Sequence, residues 1–100
     1  MTVYLTQNAQ DQLRELYNFY KALGKGMYAR KIRTTILNRT KLLSTNPRMG
    51  QREQNLDYLK LEHRYLFVKP VYKIIYKIEG QSIFITDIFD ARGNPENMKG

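Results

Sequence analysis

The sequence predicts an α+β domain: an N-terminal strand, an antiparallel helical hairpin and a three-stranded antiparallel meander, with the helices on one face of the sheet. Three observations carry this. Apolar residues recur at helical spacing from Ala9 to Leu43, interrupted only by Gly24-Lys25-Gly26. From about Leu59 the chain turns to Val, Ile, Tyr and Phe in strand-like runs. Short links separate those runs, so consecutive strands should pair with each other. A sheet with one apolar face buries it against a helical pair, and 100 residues suffice for one such domain.

Each element has a local reason. In "TVYLT", Val3 and Leu5 share a strand face. Thr6 or Asn8 then offers a side-chain oxygen to the free N–H groups of a helix start. Ala9, Leu13, Leu16, Tyr17, Tyr20 and Leu23 form the inner stripe of the first helix, which should end near Gly24. The second helix is expected from Met27 to Ser44, with Tyr28, Ala29, Ile32, Ile36 and Leu43 inward. Arg30, Arg33 and Lys41 fall opposite that stripe, with Leu37 close to them. Arg39 falls within the stripe, which suggests a packed stem whose head reaches water or an acid on the first helix. Pro47 ends the helical region, and the polar stretch Gln51 to Tyr58 reads as a loop. "LKLEHRYLFVKP", "VYKIIYKIEG" and "SIFITDIFD" are the three later strands. In the second of them Tyr72, Ile74, Tyr76 and Ile78 should face the helices. Lys73, Ile75, Lys77 and Glu79 should lie on an uncovered face. Those lysines either meet an anionic target or are simply solvated.

The charge is lopsided. Net charge is +8, and no Asp or Glu occurs between Leu16 and Arg52, where nine Lys and Arg residues lie. Such a field attracts nucleic acid, ribosome or an acidic protein. The absence of cysteine excludes disulfides and thiolate metal sites and suits a reducing cytoplasm. "MTVYLTQNAQ" lacks a basic region followed by an apolar stretch, so no signal peptide is expected. No run approaches the roughly 18 apolar residues of a membrane span. His63 is the only histidine, and no acid–histidine cluster has metal-ligand spacing, so neither metal nor cofactor is expected. The C-terminal half does collect cations, tyrosines and that histidine: Lys60, His63, Arg64, Tyr65, Lys69, Lys73, Lys77 and Arg92. Metal-free RNA cleavage needs a base for the 2′-OH, cations for the phosphorane and an acid for the leaving oxygen. Lysine and arginine suit the second task, and His63 or a tyrosine the others.

The stretch "EHRYLFVKPVYKIIYKIEGQSIFITDIFDARGNP" resembles the RelE/ParE superfamily of toxins from bacterial type II toxin–antitoxin systems, many of them described as plasmid-stabilisation proteins. Arg64-Tyr65, the Tyr72–Tyr76 pattern "YKIIY", a glycine turn, an apolar strand and the closing Arg92 carry the resemblance. The strand and helix pair ending at "NPRMG" agree with it. The resemblance implies a compact microbial-RNase-like fold and a cognate acidic, partly disordered antitoxin that blocks growth inhibition. Arg30, Arg33 and Lys41 would form its docking surface, with Leu37 as an exposed apolar anchor. RelE-like members cut mRNA in the ribosomal A site with a basic residue at the position of Lys73 and an arginine at that of Arg92. On this reading, those two hold the scissile phosphate. Lys60, Arg64, Lys69 and Lys77 bind flanking nucleic acid, and Tyr72, Tyr76 or His63 assists by stacking or proton transfer. RelE-like members also commonly carry a tyrosine or histidine near the C-terminus, where this chain has only "GNPENMKG". ParE-like members inhibit DNA gyrase by binding and lack nuclease residues. The expected function is a toxin acting as an mRNA endonuclease, with gyrase inhibition as the alternative. A degenerate toxin that only binds an antitoxin, or an RNA-binding domain unrelated to toxicity, is the third possibility.

Overall fold

Thr6 is where the first strand stops and the first helix starts. Its backbone is extended, and its hydroxyl accepts the Ala9 N–H at 3.2 Å. The computed structural model describes residues 1–100, and in it β1 (Thr2–Leu5) leads into α1 (Gln7–Ala22) and α2 (Gly26–Leu42). The turn between the helices uses Gly24 at φ +77°, a conformation that glycine adopts without strain. Then come β2 (Gln51–Arg52), β3 (Arg64–Val68), β4 (Tyr72–Glu79) and β5 (Ser82–Asp90). Two 3-10 turns, Gln54–Leu59 and Pro95–Asn97, complete the chain.

The sheet order is β1-β5-β4-β3-β2. Strands β3, β4 and β5 form the expected meander, while β1 lies parallel to β5. The helical pair is the connection that lets β1 enter the far edge in parallel. The α+β architecture therefore stands as read. Three details differ. The sheet gains a two-residue strand β2, a 3-10 turn replaces part of the expected loop, and β3 starts at Arg64 rather than near Leu59. Glu53 explains the turn, because its carboxylate accepts the Asn55 N–H at 3.2 Å and caps it.

The main core lies between helices and sheet. Leu13, Leu16, Ile32 and Ile36 meet Tyr72, Ile74, Tyr76, Ile83 and Ile85 there. The opposite sheet face was expected to be bare, and on this point the structure corrects the sequence reading. Leu56, Ile75, Phe89 and Met98 form a second core on that face, with Tyr65 packed against it. Leu56 comes from the first 3-10 turn and Met98 follows the second, so both turns fold over the sheet. Ile74, Ile75 and Tyr76 are all fully buried, which requires cover on both faces. A register irregularity in the β4–β5 pairing at Ile75/Tyr76 accompanies this double burial.

Candidate functional site

The second core encloses Lys73. Its ammonium donates to Glu53 Oε2 at 2.7 Å and lies 4.2 Å from the centre of the Tyr65 ring. Glu53 is 1% exposed, and its other oxygen accepts from both the backbone N–H and the side-chain amide of Asn55. The Glu53 N–H in turn donates to the His63 carbonyl at 2.8 Å, closing the loop from 53 to 63. Lys73 is thus neutralised and hydrogen-bonded within the fold. Lys77 pairs with Glu79 at 3.1 Å. Lys73 lacks the bare surroundings that the sequence suggested, because the start of the first 3-10 turn brings Glu53 over the sheet, whereas Lys77 borders an open groove.

Two candidate proton-transfer groups are also enclosed. Tyr76 is fully buried; its hydroxyl donates to the Pro47 carbonyl at 2.8 Å and accepts the Gly50 N–H at 2.9 Å. Burial raises its pKa. A Cβ on Gly50 would sit 2.6 Å from that hydroxyl, so glycine is what permits the approach. Tyr76 fastens the 47–50 segment to β4 and presents no free hydroxyl to a substrate. His63 is 1% exposed, and neither ring nitrogen has a hydrogen-bond partner. Burial, reinforced by Lys77, lowers its pKa. It sits beside a groove of about 430 Å³ shared with Arg52, Asp57, Lys60, Glu62 and Arg64. Arg52 and Asp57 form an ion pair across it. Arg64 donates to the Gly50 carbonyl at 2.8 Å, and Lys60 is exposed with φ +56°.

Arg92 lies elsewhere. It lines a groove beside α1 with Gln12, Glu15, Phe19 and Tyr72. Its guanidinium binds both oxygens of Asp90, at 3.0 and 2.7 Å, and this pairing holds the Asp90 carboxyl below the usual carboxylate range. Tyr72, on the helix-facing side of β4, shares a 2.8 Å hydroxyl contact with Tyr20, and burial drives its pKa upward. Successive residues of a strand point to opposite faces, so Lys73 and the Tyr72–Arg92 group do not converge. The two-pronged phosphate clamp expected from Lys73 and Arg92 is therefore not assembled.

On α2, Arg30, Arg33 and Lys41 are exposed as expected, and Arg33 stacks over Tyr17 at 4.6 Å. Leu37 is corrected: it is half-buried and packs against the main core. Arg39 does not find an acid. Its Nε is buried without a partner, in a groove of about 540 Å³ between α2 and β3. Tyr28, Lys31, Phe67 and the exposed Lys69, which precedes a cis Pro70, also line that groove. Sequence reasoning missed Glu53 and Met98. The one available signal was the run Ile74-Ile75-Tyr76, whose odd member needed a partner on the second face.

Comparison with known proteins agrees with this architecture. The model of a family described as "ParE toxin of type II toxin-antitoxin system, parDE" matches residues 3–95. The chain belongs to that family and is a type II toxin. A solved chain described as "Chromosomal ParDE TA system from P. aeruginosa" superposes with a TM-score of 0.74 at 22% identity, covering 90% of this chain and 95% of the other. Among curated proteins none matches at the sequence level. No helix is long and apolar enough to cross a membrane.

The buried, partnerless His63 gives a signed pH dependence. In the unfolded chain its imidazole takes up a proton near pH 6.5, whereas the folded site resists protonation. Its contribution to stability is complete above that pH and is lost as pH falls. The thermal midpoint of the wild type should drop between pH 7 and pH 5, and His63→Leu should flatten the profile. An identical slope in both proteins would refute this assignment.

Proposed function

We propose that this toxin arrests growth by binding DNA gyrase rather than by cutting RNA, acting in the cytoplasm where gyrase works. The observation that carries the reading is the Lys73–Glu53 ion pair. A lysine that is neutralised within the fold and separated from Arg92 is poorly placed to stabilise a phosphorane. Tyr76 and His63 are enclosed. Membership in the ParE family supports the same choice. Ribosome-dependent cleavage is the weaker reading, since it would require the second core to open and Lys73 to change partners. Purified toxin is expected to block supercoiling of relaxed plasmid by gyrase. Brief induction should leave mRNA ends within reading frames unchanged. New internal ends together with normal gyrase activity would reverse the proposal.

The partner that restrains the toxin is, on this reading, an acidic antitoxin segment lying in the groove between α2 and β3. Three features favour that position. Beyond Tyr65 the outer edge of β3 pairs with nothing, because β2 reaches only Arg64 and Tyr65. Phe67 is 45% exposed there. The groove's cations, Arg39, Lys31 and Lys69, match carboxylates. Arg30, Arg33 and Lys41 on the outer face of α2 would supply long-range attraction. Lys69→Glu should therefore weaken the antitoxin complex by about tenfold or more, an effect that shrinks at high salt. Unchanged affinity by titration calorimetry at low salt would move the docking site elsewhere.

A further inference from the structure

The second sheet face is covered unevenly. Glu53, Leu56 and Met98 occupy its middle, but towards β1 it ends in an open aromatic pair. Tyr4 and Phe84 stack with ring centres 5.5 Å apart and planes 21° apart. The strand register places Tyr4 beside Phe84 and Phe84 beside Lys77, so three neighbouring strands present Tyr, Phe and Lys in one row. Ile83 and Ile85 point into the main core, which turns Phe84 to the opposite face. Tyr4 is 49% exposed, and Phe84 lines an open groove of about 420 Å³.

The side-chain charges on this groove are mostly cationic. Lys77 and Lys99 line it, with Glu79 and the terminal residue Gly100. Lys77 pairs with Glu79 at 3.1 Å, but the Glu79 side chain is 52% exposed, so water and salt weaken that pair. Lys99 is held by its backbone: its N–H donates to Asp87 at 2.9 Å and its carbonyl accepts from the Thr86 hydroxyl at 3.1 Å. It forms no ion pair. Thr6 and Asn8, also at the groove, donate their side-chain hydrogens to the Thr86 carbonyl. Beside the exposed Tyr4 ring, the groove therefore offers the aromatic surface of Phe84 and two ammonium groups, and few uncommitted neutral donors.

We infer that this row is a binding platform for single-stranded nucleic acid: bases stack on Tyr4 and Phe84 while Lys77 and Lys99 hold the adjoining phosphates. Stacking on an aromatic face is open to every base, and cations beside it track the backbone. A duplex hides its base faces and has no use for exposed rings. Fastening β1 to β5 does not by itself account for the pair, because Val3 and Leu5 already pack β1 against the main core. The inference goes beyond the toxin's target and does not depend on it, since binding is read on the purified chain with no gyrase present.

The test is fluorescence anisotropy of labelled ten-nucleotide oligo(dT) and oligo(U), with a duplex of equal length, at fixed low salt. Both single strands should bind more tightly than the duplex. A preference for oligo(U) would mean that the 2′-OH adds contacts, and equal binding that stacking and phosphates suffice; either supports the platform. Tyr4→Ala should weaken single-strand binding by about 5- to 100-fold. Tyr4→Leu, which keeps an apolar strand residue, should do the same while preserving the fold. Lys99→Glu should weaken binding and reduce the salt slope by about one, whereas Lys41→Glu on the outer face of α2 should have the smaller effect of net charge alone. The inference is overturned if folded Tyr4→Leu binds like the wild type, if the duplex binds as tightly as the single strands, or if Lys41→Glu and Lys99→Glu weaken binding equally.

Discussion

The ion pair between Lys73 and Glu53 organises everything outside the main core. A carboxylate at 1% exposure is tolerable only when its oxygens are satisfied, and Lys73 and Asn55 satisfy both. The pair fixes the start of the 3-10 turn, which places Leu56 over Ile75. The loop then returns through the Glu53 N–H to the His63 carbonyl and runs into β3. Removing one partner of such a pair usually costs more than the pair contributes, because the other charge is left without compensation. The partial exposure of Lys73, 19% of its side chain, moderates that cost.

This one contact also separates two functional readings. A strand with alternating lysines suggests a face prepared for phosphate. Once Lys73 is neutralised from within and set beside the Tyr65 ring, that part of the strand becomes scaffold. The cations left accessible lie elsewhere: along α2, around the α2–β3 groove, and at the β1 end of the sheet beside Tyr4 and Phe84. Those are the surfaces to which we assign recognition. A protein acting by binding needs no perturbed acid or base at its surface. The pKa shifts of Tyr72, Tyr76 and His63 come first from burial.

Much of the fold was legible because its signals are local. Helical spacing in α1 and α2, the Thr6 cap, the Gly24 turn and the alternation in β4 each follow from a few neighbouring residues. The placement of β1 beside β5 was not legible, since parallel pairing across the whole chain leaves no local trace. The second core was missed for a related reason. Leu56 and Met98 are single apolar residues in polar surroundings, and only the folded chain brings them to Ile75. Glu53 reads as an ordinary surface acid in "QREQNLD". Leu37 lies at an angle close to exposed cations, yet it is wide enough to touch the core. Of the candidate residues, Arg30, Arg33 and Lys41 lie on the exposed face of α2 that their spacing indicated, whereas the burial of His63 and Tyr76 depended on the unforeseen cover.

The most direct measurement is a double-mutant cycle on Glu53→Gln and Lys73→Met, read by urea unfolding. A pair enclosed by the second core should show a coupling energy of about 1–3 kcal/mol, the range for groups sharing one buried polar network. Coupling within error of zero would mean that the two side chains do not hold each other in solution. Lys73 would then stand free on an open face with phosphate able to reach it, and the structural ground for choosing gyrase over RNA would be gone.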